Sequence, residues 1–272
     1  MELQGKVAIV TGASRGVGAA TAVALASEGC AVACAARATD ATPMPTPGTI
    51  DETVGRIRAA GGTAIAVPTN LAKDDEVEQM VATATEQLGP VDILVNNAAI
   101  TFPGDVDLPM KRFDLVFAVD LRAPLIAIQA ALPSMRARKS GCIVNVSSVA
   151  ALNYFPGLMA YGMAKSALEH LTVDLAVQLR ADNINVNTFR IDVPVASEGF
   201  VANLPGDHPD WEPSEVAAEG ILWMIRQPVS YTGHNAGMAR LRADHGIMVS
   251  RAQQLHTQAV GLVTETHLRP PS

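Results

Sequence analysis

The strongest constraint on this chain is an alternation. Short, almost wholly apolar runs recur at KVAIV (6–10), AVACA (31–35), TAIAV (63–67), VDILV (91–95), CIVNV (142–146) and INVNTF (184–189). Stretches with helical spacing, mostly rich in Ala, separate and follow them at about 16–29, 49–61, 73–88, 112–136, 160–180 and 213–226. A strand with one wet face alternates polar and apolar residues, whereas a strand apolar throughout is buried on both faces, as in a parallel sheet covered by helices. Regular β-α alternation of such strands predicts an α/β domain with a doubly wound parallel sheet and helices on both faces.

In a chain of 272 residues one domain, 1–249, accounts for almost the whole pattern, leaving 250–272 as a C-terminal tail in which 250–263 could form a short helix. ATDATPMPTPG (38–48) falls outside the rhythm; its three prolines predict an inserted, partly extended loop. Aromatics make up only 4% of the chain, so the core must be aliphatic. The net charge of −7 excludes a phosphate-neutralising nucleic-acid surface. The densest basic run, Arg136, Arg138 and Lys139, reads as a solvated helix end.

Cys30, Cys34 and Cys142 have neither zinc nor redox spacing and read as small buried hydrophobes, so no metal site is expected. MELQGKVAIV lacks the basic and long apolar regions of a secretory signal. The uncharged stretch 140–164 is spoiled as a membrane span by Asn145, Ser147, Ser148, Asn153 and Pro156. A cytoplasmic protein is expected, with neither membrane nor nucleic acid as partner.

Val10-Thr11-Gly12-Ala13-Ser14-Arg15-Gly16-Val17-Gly18 follows the first strand and enters a helix. Glycines at that junction let the backbone turn tightly and approach a pyrophosphate, which the N–H groups of the helix N-terminus face. Gly12, Ser14, Arg15, Gly16, Val17 and Gly18 are therefore candidate contacts to an adenine dinucleotide. An acid at the end of the second strand would accept the ribose 2′-hydroxyl of NAD and repel the 2′-phosphate of NADP. Here that strand ends Cys34-Ala35-Ala36-Arg37. Arg37 can clamp a phosphate through two parallel hydrogen bonds, with Arg15 as a second cation, which favours NADP(H) over NAD(H).

Tyr161 and Lys165 stand four positions apart, on one face of a helix. The motifs TGASRGVG (11–18), NNAA (96–99), SS (147–148), YGMAK (161–165) and VN (186–187), in that order, resemble the short-chain dehydrogenase/reductase family to about residue 246. Weaker similarity, in the proline-rich insertion and the segment after the sixth strand, points to the hydroxysteroid dehydrogenase-like subgroup.

The resemblance implies a single-domain Rossmann-type sheet of about seven strands and hydride transfer between a nicotinamide cofactor and a small-molecule carbonyl or alcohol, with an apolar substrate among the expectations. Tyr161 is implied as general acid/base, Lys165 as the ammonium that lowers its pKa and holds the nicotinamide ribose, and Ser148 as the oxyanion donor. Asn70, Leu71, Asn97 and Ala98 are implied as further cofactor contacts, Asn97 also tying neighbouring strands and Asn96 approaching the ribose. A substrate lid is implied at about 193–212, where Phe200, Leu204 and Trp211 either face substrate or pack on the scaffold. Family members commonly pair helices such as 112–136 and 160–180 into a homodimer or homotetramer.

Three departures bear on that reading. Asp120 stands where relatives carry a catalytic asparagine, thought to act through a backbone carbonyl that holds a water leading to the lysine. An ionised carboxylate there stabilises charged Lys165 but opposes phenolate formation. Ile191-Asp192 replaces the usual Pro-Gly, and Asp192 is expected to cap the following helical segment. The end of the domain lacks Asp-Gly-Gly, leaving MARLR (238–242) as the candidate last strand. The alternative is a dinucleotide-binding protein with weak or no catalysis, serving as a sensor or assembly subunit.

Overall fold

The computed structural model describes residues 1–203, 206 and 208–252. Its strands are β1 (Val7–Thr11), β2 (Ala31–Ala36), β3 (Thr63–Pro68), β4 (Ile93–Asn96), β5 (Gly141–Ser148), β6 (Ile184–Ile191) and β7 (Asn235–Gly237). They form one 7-stranded sheet in the order β3-β2-β1-β4-β5-β6-β7, each neighbouring pair parallel. The helices are α1 (Gly16–Ser27), α2 (Ile50–Ala59), α3 (Asp74–Leu88), α4 (Met110–Phe117), α5 (Ala123–Arg138), α6 (Met159–Leu179), α7 (Glu198–Asn203), α8 (Ser214–Arg226) and α9 (Met238–His245).

The period-2 geometry of a strand sends successive side chains to opposite faces, and here both faces are dry. Ala8 and Val10 of β1 join a core containing Leu25, Ile57 and Ile221 of α1, α2 and α8. Val7 and Ile9 join the opposite core, with Met80, Ile128 and Leu179 of α3, α5 and α6. This explains why the strand sequences are apolar throughout. Strand order reverses between β1 and β4, and such a switch point opens a crevice beyond the carboxyl ends of the strands. The glycine loop and the end of β5 lie at those carboxyl ends.

Several expectations change. The helix expected at 112–136 is three pieces in series: α4, a π-helical turn at Ala118–Arg122, and α5. By length and composition Met110–Arg138 is apolar enough to cross a membrane, yet half of its apolar window is buried inside the fold. MARLR is not a strand; the last strand is Asn235–Gly237, and residues from Met238 are helical. Asp192 is the physical reason. Its Oδ1 accepts from Ala239 N at 2.9 Å, so it caps α9 and not the segment that directly follows β6. A Cβ on Gly237 would lie 2.0 Å from Asp192 Oδ2, so a side chain there would displace the capping carboxylate.

The basic run 136–139 is not simply solvated either. Arg138 binds Asp92 and the Val91 carbonyl, while Arg136 and Lys139 both pair with Asp182. The helix foreseen at 250–263 lies largely outside the described residues.

Candidate active site

The glycine loop is built by close approach. Gly12 N donates to Ala35 O at 2.8 Å, tying the loop to the end of β2. Gly12 and Gly16 have φ of 70° and 55°, left-handed values that glycine adopts without strain. At Gly18 a Cβ would meet Gly12 O at 2.3 Å and Asn97 Nδ2 at 2.5 Å, so the first turn of α1 can close on the loop only without a side chain. Val17 turns its side chain into the core and Ser14 is buried, leaving the backbone N–H groups at the start of α1 as the anion-facing donors.

Asn97 locks the loop from the β4 side. Its N–H and that of Ala98 donate to Thr11 Oγ1 at 3.0 and 3.1 Å, and its Nδ2 donates to Thr11 O at 2.9 Å. Thr11 is a loop-fixing residue that motif reading passed over, although it sits inside the quoted motif. The Asn96 side chain is buried, and its Nδ2 donates to Asn145 Oδ1 at 2.9 Å, the start of a polar chain through Thr172 to Thr188. Asn70 Oδ1 is committed to Ala72 N at 3.1 Å, and Leu71 packs against the core beneath.

The inserted loop folds back over the glycine loop. Arg15 Nη2 donates to Gly48 O at 3.0 Å, and a Cβ on Gly48 would meet Ser14 O at 2.5 Å. Thr49 begins α2 with a capping box to Glu52. Arg15 keeps a buried Nε without a partner, and its pKa is pulled down by burial and, further, by the like charge of Arg37, while Glu198 and Glu52 oppose the fall. Arg37 is exposed directly after β2. An orphaned donor, a neighbouring guanidinium and a cradle that any Cβ would fill together suit the anionic groups of a nicotinamide dinucleotide.

The second half of the site is a stripe along α6. Tyr161, Lys165 and Glu169 follow at four-residue spacing, and each engages one of three successive residues at the end of β5. Lys165 Nζ donates to Val146 O at 3.0 Å. Ser147 Oγ donates to Glu169 Oε1 at 2.7 Å. The Tyr161 hydroxyl faces Ser148, which favours its ionised form, and Ser148 Oγ accepts from Ala150 N at 3.2 Å. Lys165 lies 5.5 Å from the Tyr161 ring centroid.

Asp120 approaches from the π turn. It is fully buried, its Oδ1 accepts from Ile100 N at 2.9 Å, and its partnerless Oδ2 lies 3.8 Å from Lys165 Nζ. Pro124, four residues on, has no N–H to return to the Asp120 carbonyl, so that carbonyl lacks its α-helical donor. This proline is a sequence signal for the turn, and such turns often mark functional sites.

The electrostatics correct one expectation. The Tyr161 phenol is raised above its ordinary value, first by burial and then by the Asp120 carboxylate, with the nearby Ser148 only partly opposing. The anticipated lowering by Lys165 is not found in the chain alone, because burial pulls the Lys165 ammonium itself down and Asp120 shares its charge. Burial also pushes the Asp120 carboxyl up to about 6, against Lys165 and the Ile100 N–H.

Pro194 and Ala196 are tied to Glu212, where Ala196 N donates to Glu212 O at 2.8 Å and Glu212 N to Pro194 O at 2.9 Å, closing the base of the segment between them. Phe200 and Trp211 stack on one another at 4.7 Å, with His208 on Trp211 at 3.7 Å; Leu204 lies outside the described residues. The loop reaches the phosphate side, since a Cβ on Gly16 would meet Ser197 Cβ at 2.8 Å. Among the described residues, no group of three or more His, Cys, Asp or Glu could hold a metal.

A doubly wound parallel sheet with a glycine cradle at its switch point, and a Ser-Tyr-Lys constellation beyond β5, defines an NAD(P)-dependent oxidoreductase. The sequence model of the short chain dehydrogenase family matches residues 6–193, and the chain belongs to the short-chain dehydrogenase/reductase family. A short chain dehydrogenase of Pseudocercospora fijiensis is 36% identical over 76% of this chain and 67% of its own length. Hydroxysteroid dehydrogenase-like protein 2 of Mus musculus is 32% identical over 86% of this chain, the match spanning 48% of the mouse protein. A metagenomic short-chain oxidoreductase solved in complex with NADP superposes with a TM-score of 0.71 at 28% identity, over 86% of this chain and 96% of that one.

Proposed function

We propose that the protein is an NADP(H)-dependent enzyme that interconverts a ketone or aldehyde with its alcohol. The reading is carried by Lys165, whose Nζ is held on the Val146 carbonyl of β5 at 3.0 Å and 5.5 Å from the Tyr161 ring, with Ser148 facing the same phenol beside the dinucleotide crevice. A bound nicotinamide dinucleotide supplies or accepts the hydride. Gly12, Ser14, Arg15, Gly16, Val17 and Gly18 would hold its pyrophosphate, Asn70, Leu71, Asn97 and Ala98 its adenine side and ribose, and Lys165 the nicotinamide ribose.

During reduction Tyr161 donates its phenolic proton to the carbonyl oxygen, and Ser148 donates a hydrogen bond to the same oxygen as charge develops. A protonated phenol is the acid needed in that direction, and a raised pKa keeps it protonated. NADP(H) preference is supported by the paired guanidiniums of Arg15 and Arg37 with no acid at the end of β2. Exposed Met163, Val173 and Val177 on α6 support a homodimer or homotetramer through that helix, and three free, buried cysteines suit a cytoplasmic protein.

Tyr161→Phe tests the reading. It is expected to lower turnover of NADPH with a ketone panel by about 10²–10⁴-fold while leaving NADPH binding intact. Undiminished turnover would refute it. The effect of Asp120 on the phenol favours a second reading, a dinucleotide-binding protein with little catalysis. Wild-type protein that binds NADPH but never oxidises it across the panel would support that reading instead.

A further inference from the structure

Behind the Ser-Tyr-Lys group lies a buried ion pair to which none of the preceding roles extends. Ser147 and Arg190 are register partners across β5 and β6, so their side chains leave the same sheet face. Glu169 of α6 meets both there. Its Oε1 accepts from Ser147 Oγ at 2.7 Å and from Arg190 Nε at 2.8 Å, and its Oε2 accepts from Arg190 Nη2 at 2.5 Å. Glu169 is only 6% exposed. A carboxylate so buried needs its charge matched, and the two-point guanidinium contact provides the match.

Two neighbours make this more than a core pair. Ser147 precedes Ser148, and Glu169 stands one helical turn after Lys165, whose ammonium its charge favours. We infer that Glu169 and Arg190 are a positioning pair for the proton-transfer group: the carboxylate fixes the end of β5 through Ser147, and the guanidinium balances its charge against Lys165. The inference rests on Tyr161 being the proton donor.

The charged groups acting on this region come from each neighbouring element. Asp120 reaches Lys165 from the π turn, Lys165 and Glu169 lie on α6, and Arg190 on β6 is joined by Asp192 just past its end. Burial pulls the Lys165 ammonium down, and Asp120 and Glu169 oppose it in that order. Removing either partner of the Glu169–Arg190 pair therefore shifts the Tyr161–Lys165 group in an opposite, predictable direction.

The test is the pH profile of kcat/KM for carbonyl reduction, whose alkaline limb marks loss of the proton from that group. Glu169→Gln leaves the Arg190 charge unbalanced, and the limb is expected to move to lower pH by roughly one unit. Arg190→Met leaves the Glu169 charge matched by Lys165 alone, and the limb moves to higher pH by a similar amount. Arg190→Lys keeps the charge and returns the profile to that of wild type. Because each variant carries its own sign, a folded example of either single change, checked by circular dichroism and NADPH binding, decides the matter.

Unmoved limbs, or shifts in the same direction, would overturn the pairing. Tyr161→Phe separates the two levels. If it abolishes turnover while these profiles stay put, the positioning role alone fails; if turnover survives it, the underlying assignment fails.

Discussion

Asp120 carries a carboxylate with one oxygen on a backbone N–H and the other without a hydrogen-bond partner, 3.8 Å from an ammonium. Its carboxyl in the folded chain is pushed up to about 6, against about 3.9 for an unfolded aspartate. The folded state thus holds this proton more tightly. The cost of burying the charge is borne above pH ~6 and relieved as pH falls from there toward ~4. The same charge raises the Tyr161 phenol, so Asp120→Asn should have two effects. An inflection near pH 6 should disappear from the pH profile of kcat/KM, and the alkaline limb should move to lower pH. A curve superimposable on wild type would count against any influence of Asp120 on the acid. At this scale spacing put Tyr161 and Lys165 on one helix face, but only the resemblance to a known family singled them out, with Ser148, as candidates. Glu169 and Arg190 were hidden because they are neighbours only across the β5–β6 register and through α6.

Among elements, the glycine loop and the inserted segment act together. The proline-rich stretch 38–48 ends in Gly48, whose carbonyl holds Arg15 while Arg37 stands free of the sheet at the end of β2. Arg37→Ala removes the exposed cation of the pair. It should weaken NADP(H) binding by about tenfold or more while leaving NAD(H) nearly unchanged, since a charge-assisted phosphate contact contributes roughly 1.5–3 kcal/mol. Fluorescence titration with both cofactors checks this, and equal affinities in wild type would remove the preference. Helices and long strands were legible because their apolar periods run for several turns or residues. The last strand was not: at three residues it has no period to read, and its place is set by Asp192 capping α9 from the neighbouring strand. The π turn was missed for a different reason, since the apolar pattern continues through it.

Over the whole molecule, Glu212 fastens three parts that the linear pattern leaves separate. Its backbone closes the base of the 193–212 loop, its Oε1 accepts from Arg242 Nη2 of α9 at 2.8 Å, and its Oε2 accepts from Arg251 N at 2.9 Å. Burial pushes its carboxyl up, but hydrogen bonds from Ser250, the Arg251 N–H and Arg242 outweigh this and hold it below the ordinary value. Its contribution to stability is therefore present above the unfolded glutamate value of about 4.3 and is lost as pH falls through the folded one. Glu212→Gln should increase amide hydrogen exchange in the 193–212 loop at neutral pH while β1, β4 and β5 keep their protection. Unchanged exchange in the loop would show that the clasp does not hold it. The sheet was readable from β3 to β6 because burial on both faces leaves an apolar record in every long strand, whereas a clasp made by one glutamate leaves none.

The three-residue span of β7 has a consequence for solution behaviour. One border of the sheet exposes too little unpaired backbone to template a foreign strand, and the opposite border ends in Pro68, which cannot donate to a ladder. The β7 flank is thereby the poorer template for cross-β stacking, so edge-to-edge association in a crowded preparation should begin at β3, whose ladder stops at Pro68.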